Sequence, residues 1–542
     1  MTNIAFTRTV VGMETYAKCP ALRVCGHCPL MEHPYHKQLE IQSTYLHTQF
    51  AQLADRVEPM VGMEEKEGFL YHVEAQFGLD WRGKFASGVV STRQNQFLAL
   101  EACMLRHPLA ERILKTIKRL AIEHDLDTSF PATKVSLRLR GDLEQVLLCF
   151  TLSEEIEPPF ASFLHALRRE HAEIIGIVLT DGVNNPLPFW GRSAIEETLC
   201  TLKFSLPPTS DFPSSPSQAE VLYKKVMELA HIKKGDVVID CCTMHGILAL
   251  LSVGEGASQG YVLQEHTPYC DEAALNDLEH VQRFVGNNEK QLRQLAKRGK
   301  ACDILFLSPS EEGCKRSLLE SVITIRPKRI IYLSRQERTL KRDLQYLVQN
   351  GFYQVQVVQG VDMHPHSANM QVIASLKYVL AIRPLWRREY ALLNHFLYEA
   401  IYVAEGEVPP PLSVLDDPSL RHYVQDFGRE GDYALVGEVQ GKVVGAVWVR
   451  LFDSHDPGYG FLDKETPELC ISIDSSYRSK GLGSQLIEEM CTVVSNAGYQ
   501  RVSLSVQKEN RACSLYQRLG FAVVDERGDA YVMVKYLGKR SE

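Results

Sequence analysis

No run of this chain approaches the roughly 20 consecutive apolar residues of a membrane-spanning helix. Its first residues also lack the basic, then apolar, then small-residue succession of a secretory signal. The expectation is a cytoplasmic protein with no membrane partner. Internal repeats and low-complexity tracts are missing too; "VPPPLS" at 408–413 is a local loop. A basic field is absent: Lys and Arg number 59 against 67 Asp and Glu, a formal net charge of −8. The deficit is uneven, about −6 in residues 387–542 and about −2 before them. Any nucleic acid must therefore be met by a local patch in the N-terminal two thirds. Cysteine is not scarce. In a reducing compartment the 14 cysteines are thiols or metal ligands rather than disulfides. At 542 residues, 45% of them hydrophobic and 23% charged, the chain has ordinary globular composition and room for about three domains.

Periodicity divides the chain into blocks. Three cysteines and the helical stretch "HKQLEIQSTYLHTQFAQLA" occupy the first. Residues 66–205 alternate short apolar runs such as "KVSLRLRG" and "EQVLLCFTL" with helices such as "HPLAERILKTIKRLAIEH", which predicts a small antiparallel sheet with helices. From 218, helical stretches alternate with the strands "DVVID", "GYVLQE", "DILFLS" and "RIIYLS", the pattern of a doubly wound α/β domain. Past "IASLKYVLAIRPLWRREY" come helices and the hairpin-like "YALVGEVQGKVVGAVWVRLF". The expected fold class is multidomain α/β: an α+β region over 1–205, a Rossmann-like domain over 206–384, and an α/β domain over 388–542.

Cys19, Cys25 and Cys28 lie within ten residues in "CPALRVCGHC". Their spacing fits neither a zinc finger nor the motif of radical enzymes that cleave S-adenosylmethionine (SAM), and a cuboidal iron–sulfur cluster needs a fourth thiolate. Incidental structural thiols are the plain alternative. "C…CGHC" followed by "YHKQL" resembles the cluster-binding opening of the RNA 5-methyluridine (uracil-5-) methyltransferases. That resemblance implies a 4Fe-4S cluster, with Cys103 of "LEACMLRHPL" as the fourth ligand beside Cys19, Cys25 and Cys28.

The resemblance runs from about residue 15 to 383, and it carries substitutions at the reacting positions. The family's "YxSCNPxTLxRD" stands here as "YLSRQERTLKRD", with Arg335 where the nucleophilic cysteine belongs. A guanidinium stays protonated and offers no lone pair. "DMFPxTxHxE" stands as "DMHPHSANMQ", with Gln371 in place of the base glutamate, and an amide does not take a proton. In "DCCTMHGILAL", Asp240 and Gly246 remain but Met244 replaces the first glycine of the cofactor loop. Glu265 follows the second strand as in the family. Leu307 and Ser308 replace Asp-Pro, and Pro213 replaces a glutamine. The expectation is a methyltransferase fold without methyl transfer, for which SAM is not a cofactor. RNA (tRNA or rRNA) or a ribonucleoprotein is the expected partner, with Arg335 as a candidate RNA contact in the former base pocket.

At the C-terminus, "PELCISIDSSYRSKGLGSQLIEEMCTVVSNAG" reads as a strand, a glycine-containing turn and an amphipathic helix. Leu486, Ile487, Met490, Cys491 and Val494 share one face of that helix, and Gly498 stops it. A strand feeding a helix N-terminus through Gly481 and Gly483 offers amides to an anion. About thirty residues on comes "ENRACSLYQRLGF". Together these segments resemble the acetyl-CoA site of the GNAT N-acetyltransferases, over about residues 388–538. The resemblance implies cofactor contacts from Ile471, Ile473, Arg478, Lys480, Gly481, Leu482, Gly483 and Asn510. It makes Tyr516 the acid that protonates the departing thiolate, against the alternative of a packed core tyrosine. Glu468 is the candidate base, acting directly or through water, against the alternative of a structural carboxylate.

The function expected is acetyl-CoA-dependent N-acetyl transfer by an enzyme fused to a catalytically inactive, cluster-bearing platform. The acceptor amine is not named by the sequence. Two other readings differ in class: a non-enzymatic RNA-binding or assembly factor, and an acetyltransferase of a protein or small-molecule amine that does not meet RNA.

Overall fold

The apolar runs form three large sheets and one two-stranded hairpin in a computed structural model that describes residues 19–63, 70–140, 145–153, 157–181, 187–208, 210–243, 245–268, 270–404 and 406–538. The chain divides into two units, residues 1–347 with 354–377, and 348–353 with 378–542.

In the first unit a seven-stranded sheet runs in the order Phe97–Ala99, Phe85–Val90, His72–Leu79, Ala132–Leu139, Val146–Leu152, Ile174–Thr180, Leu187–Gly191. The helix Pro108–Glu123 buries Leu109, Ile113, Leu114, Ile117 and Leu120, the three-and-four spacing of an apolar stripe facing a core. The sheet is not wholly antiparallel as expected: Val146–Leu152 and Ile174–Thr180 are parallel. The physical reason is the helix Pro158–Glu170 between them, since a parallel pair needs a crossover longer than a turn.

The second sheet of this unit has eight strands, with Val237–Cys241 flanked by Ile304–Leu307 on one side and Gln259–Gln264 on the other, all parallel. Ile304–Leu307 is buried throughout, as a strand covered on both faces must be. Chain order reverses at Val237–Cys241, the place where doubly wound sheets bind ligands. Ala54–Val61, from the first sequence block, joins this sheet parallel to Tyr353–Asp362.

The second unit holds a seven-stranded sheet in the order Leu380–Pro384, Tyr433–Val439, Lys442–Arg450, Glu468–Ile473, Arg501–Gln507, Ala530–Tyr536, Ala522–Arg527. The predicted hairpin turns at Gln440 and Gly441, both at positive φ. The helix Leu482–Asn496 buries the predicted face, including Leu486, Ile487, Met490, Cys491 and Val494. The helix Leu392–Ala400 serves a second core with Trp448 and Tyr423. One ion pair is fully interior. Arg450 and Asp432 are each 2% exposed at 2.6 Å, and Arg450 Nη1 also donates to the carbonyls of His422 and Gln425. Arg450→Met would strand a buried carboxylate, so the unfolding transition of this unit should lose about 3–5 kcal/mol in a denaturant titration.

Candidate functional site

Strand Glu468–Ile473 pairs with Lys442–Arg450 along its whole length, from Glu468↔Arg450 to Ile473↔Gly445. Against Arg501–Gln507 it has one register pair, Glu468↔Ser503. The two parallel strands therefore part beyond Glu468. On the diverging segments Cys470, Ile471 and Ile473 of one strand, and Ser505 and Gln507 of the other, are partly exposed. A sheet that opens in this way presents unpaired backbone groups to an extended ligand.

At the far end of the strand the chain turns through Ser479, at φ 62°, and Gly481, at φ 81°, into the helix Leu482–Asn496. No side chain caps this helix, so its first amides remain available to an anion. Arg478 is anchored beside them: its Nε donates to the Ile473 carbonyl at 2.8 Å and its Nη2 to Glu399 at 3.0 Å. Lys480 Nζ stands 5.1 Å from the ring of Tyr477 and 5.9 Å from that of Phe352. Gly483 packs where a side chain would press on Ile473. Asn510 accepts the Ala512 N–H at 2.9 Å just ahead of the helix Ala512–Arg518, which carries Tyr516.

Tyr516 is 9% exposed and packs edge-on against Phe521, and its hydroxyl has no hydrogen-bond partner among the described residues. Burial pushes its phenol well above the usual range, with the thiols of Cys470 and Cys513 adding to the effect. It is a protonated donor at any physiological pH. Glu468 is 3% exposed; its Oε1 accepts from the Tyr423 hydroxyl at 2.7 Å and from the Gly460 N–H at 2.8 Å. Burial raises its carboxyl to about 7, against the opposing effect of those two hydrogen bonds. Its Oε2 is buried without a partner among the described residues, as is Ser503 Oγ on the register-paired residue. Gly458 makes the position of Glu468 feasible, because a Cβ there would collide with Oε2.

Sequence motifs name Glu468, Tyr516 and the Arg478–Gly483 loop as candidates but do not name Tyr423, Gly458, Gly460 and Ser503, which surround or pair with Glu468 in the structure. "GYG" eight residues before Glu468 was the available signal for the two glycines; nothing in the sequence marks Tyr423.

In the first unit, the strand–loop from Tyr332 to Asp343 has a structural role. Tyr332 is buried and its hydroxyl donates to Asp343 at 2.6 Å, while Asp343 also accepts the Cys314 N–H at 2.7 Å. Arg335 is 60% exposed and pairs with Asp211 at 3.0 Å. At the switch point, His245 is buried between Ser210 Oγ at 2.7 Å and Glu272 at 2.9 Å, and Arg283 pairs with Glu272 at 2.8 Å. Asp240 accepts the Leu248 and Ala249 amides, and burial raises its carboxyl to about 7. Glu265 is exposed and Gln371 partly so; Leu307 is buried within its strand, and Ser308 and Pro213 are partly exposed. Met244 lies outside the described residues.

The cysteine segment is docked at several points. Ser91 Oγ donates to the Val24 carbonyl at 2.6 Å, and the Thr92 N–H to that of Cys25 at 3.1 Å. On another side the Leu30 N–H donates to the His366 carbonyl, and the Tyr35 hydroxyl to Asp362 at 2.6 Å. Gly26, at φ 82°, admits this approach, since a Cβ there would meet Thr92 and Arg93. Burial pushes the Cys28 thiol up to about 12, and the charges of Cys103, Cys19 and Cys25 add to it. Cys19 is raised by burial, then by Cys103 and Cys25. Cys19 and Cys28 are thus thiols whose ionisation bound cations would favour. No three His, Cys, Asp or Glu side chains among the described residues are arranged for a single metal ion.

Residues 398–521 match the model of the acetyltransferase (GNAT) family. An uncharacterized RNA methyltransferase of Clostridium tetani is 25% identical over 381 residues, 66% of this chain and 82% of its own. Another, of Clostridium acetobutylicum, is 26% identical over 392 residues, 68% of this chain and 84% of its own. The structure of a tRNA (uracil-54, C5)-methyltransferase of Pyrococcus abyssi with S-adenosyl-L-homocysteine covers 64% of this chain and 85% of that one. Its TM-score is 0.52 at 18% identity, a likeness of fold. No helix is long and apolar enough to cross a membrane among the described residues. The chain thus joins two parts: its N-terminal two thirds matches RNA methyltransferases and shares the fold of a uracil-C5 enzyme, and its C-terminal third carries a domain matched by the GNAT acetyltransferase family.

Proposed function

We propose that the protein is a cytoplasmic acetyl-CoA-dependent N-acetyltransferase whose N-terminal two thirds is a methyltransferase-like platform that no longer transfers methyl groups. The observation that carries this reading is the parting of strands Glu468–Ile473 and Arg501–Gln507 between an uncapped helix N-terminus and a buried tyrosine with a free hydroxyl. Acetyl-CoA supplies the activated acyl group. The amides from Gly481 to Gly483 hold its pyrophosphate, with Lys480 and Arg478 beside them. Ile471 and Ile473 line the pantetheine arm, and Asn510 fixes the helix that aims Tyr516.

Glu468 removes the proton of the attacking amine, and Tyr516 gives a proton to the sulfur that leaves. Glu468 Oε2 and Ser503 Oγ, on register-paired residues, are both buried without a partner among the described residues, the condition an ordered water relieves, which favours a base acting through water. The transfer is direct. Cys513 donates to the Gln507 carbonyl and burial raises its thiol, so it is a packing group rather than a nucleophile. Release of CoA thiol by the full chain with candidate amines tests the reading; no thiol release with any amine would remove it.

Methyl transfer is absent on this reading because Arg335 and Gln371 offer neither nucleophile nor base. The polar groups at the switch point support this, since His245, Glu272, Arg283 and Ser210 are bonded to one another. The three-part division expected at 1–205, 206–384 and 388–542 belongs to the same proposal, except that Leu380–Pro384 pairs within the sheet of the second unit.

Cys19, Cys25, Cys28 and Cys103 would hold a 4Fe-4S cluster, whose contribution is to tie the N-terminal segment to the central sheet. A cuboidal cluster seats its thiolates at separate corners and does not require the arrangement of a single ion. RNA, or a protein bound to it, is the partner of this platform; near the cysteine segment Arg23, Arg93 and Glu32 line a cavity of about 340 Å³. Anaerobically prepared protein should contain about four irons per chain. Cys25→Ser/Cys103→Ser should lose them by iron assay, and iron unchanged in that variant would contradict the ligand set.

A further inference from the structure

The loop that leads into Glu468 is acidic. Over residues 453–468 the chain places Asp453, Asp456, Asp463, Glu465 and Glu468 against one lysine, Lys464. Asp463 is engaged with Arg501, and Asp456 meets His422 at 2.7 Å, while Asp453 and Glu465 are exposed. Asp453 is held in place by accepting the N–H groups of His455 at 2.7 Å and Asp456 at 3.1 Å. The cation packed against the loop, Arg527, spends its guanidinium on the carbonyls of Tyr459 and Phe461 and on Asp525.

An acidic rim by itself is solvated surface. Here the same loop holds a second feature, the buried Glu468 Oε2, which has no partner among the described residues and lies against Gly458 of this loop. Tyr459 follows Gly458 in this loop, and its N–H donates to the Tyr423 hydroxyl at 2.6 Å. It is 53% exposed, and its ring lies parallel to that of Tyr423 at 6.2 Å, with the Tyr423 hydroxyl bonded to Glu468. The loop thus carries exposed carboxylates, an exposed aromatic ring and, at its end, a buried carboxylate. Each of the three attracts a cation, and the first repels phosphate. The charge of about −6 over residues 387–542 acts in the same direction.

We infer that the acceptor is an amine on a basic, lysine-rich peptide segment of a protein, not an exocyclic amine of a nucleobase. This rests on the acetyl-transfer reading and selects among its acceptors. In the step, the amine nitrogen forms its bond to the acetyl carbon as the thioester C–S bond breaks. The nitrogen's proton leaves toward Glu468 and the sulfur gains one from Tyr516, giving an amide and a free thiol.

The test uses the full chain with acetyl-CoA and four acceptors: a lysine flanked by arginines in a peptide, the same lysine flanked by serines, spermidine, and an RNA oligonucleotide. Thiol release gives the rates and mass spectrometry the acetylated product. At low salt the basic peptide should exceed the neutral one in kcat/KM by about tenfold, and the advantage should shrink as salt screens it. Asp453→Asn/Glu465→Gln should raise KM for the basic peptide about threefold, and Glu465→Asp should leave the salt dependence in place. Equal rates on the two peptides, a preference for spermidine, or acetylated RNA would overturn the inference. So would acetyl-CoA binding without turnover of any acceptor, whereas absent acetyl-CoA binding would instead defeat the transferase reading.

Discussion

Tyr516→Phe should lower the rate of acetyl transfer by about 10²–10⁴-fold, the usual worth of a positioned general acid. The substitution keeps the ring and its edge-on packing against Phe521, so the core and the affinity for acetyl-CoA should hardly change. What it removes is a proton donor. Burial holds this phenol in its protonated form, and no described residue competes for its hydroxyl. A thiolate expelled without that proton is a poorer leaving group, so the loss falls on kcat. Steady-state kinetics alongside calorimetry with acetyl-CoA separate the two effects. A variant that keeps wild-type kcat would make Tyr516 a packing residue.

Glu468→Gln should cost about 10²-fold in kcat, the lower end of general-base assistance. Glutamine retains an oxygen for the Tyr423 hydroxyl and the Gly460 N–H, so the loop stays anchored. The pH profile makes the assignment specific. With a carboxyl raised to about 7, the basic form is scarce below that pH and prevails above it. Wild-type kcat should therefore rise through about pH 7 and level off, and the Glu468→Gln profile should be flat across the same interval. An identical rise in both would place the titrating group elsewhere. Linkage has the opposite sign for stability: the folded state binds this proton more tightly than the unfolded one, so the contribution of Glu468 to stability declines as pH climbs from about 4.5 to about 7.

Elements with a period were legible in the sequence. The apolar face of Leu482–Asn496 and the turn at Gln440–Gly441 follow from spacing and from glycine. The parallel pairing of Val146–Leu152 with Ile174–Thr180 did not, because a strand's pattern records which face is buried and not the direction of its neighbour. At the site, Arg478, Gly481 and Tyr516 sit in contiguous motifs, whereas Tyr423 reaches Glu468 across 45 residues of chain. The elevated carboxyl of Glu468 arises from burial, which no local window contains. The frame from Tyr332 to Asp343 needs no catalytic cysteine to be maintained, because Tyr332 and Asp343 hold each other and the Cys314 amide inside the fold. Arg335, on the exposed side of that frame, is free of this constraint and pairs with Asp211.

The central claim is that ligand chemistry has passed from the switch point of the eight-stranded sheet to the parted strands of the C-terminal unit. Titration calorimetry of the full-length protein with acetyl-CoA and, separately, with SAM tests it most directly. The account predicts saturable heat with acetyl-CoA and none with SAM; binding of SAM with no response to acetyl-CoA would contradict it.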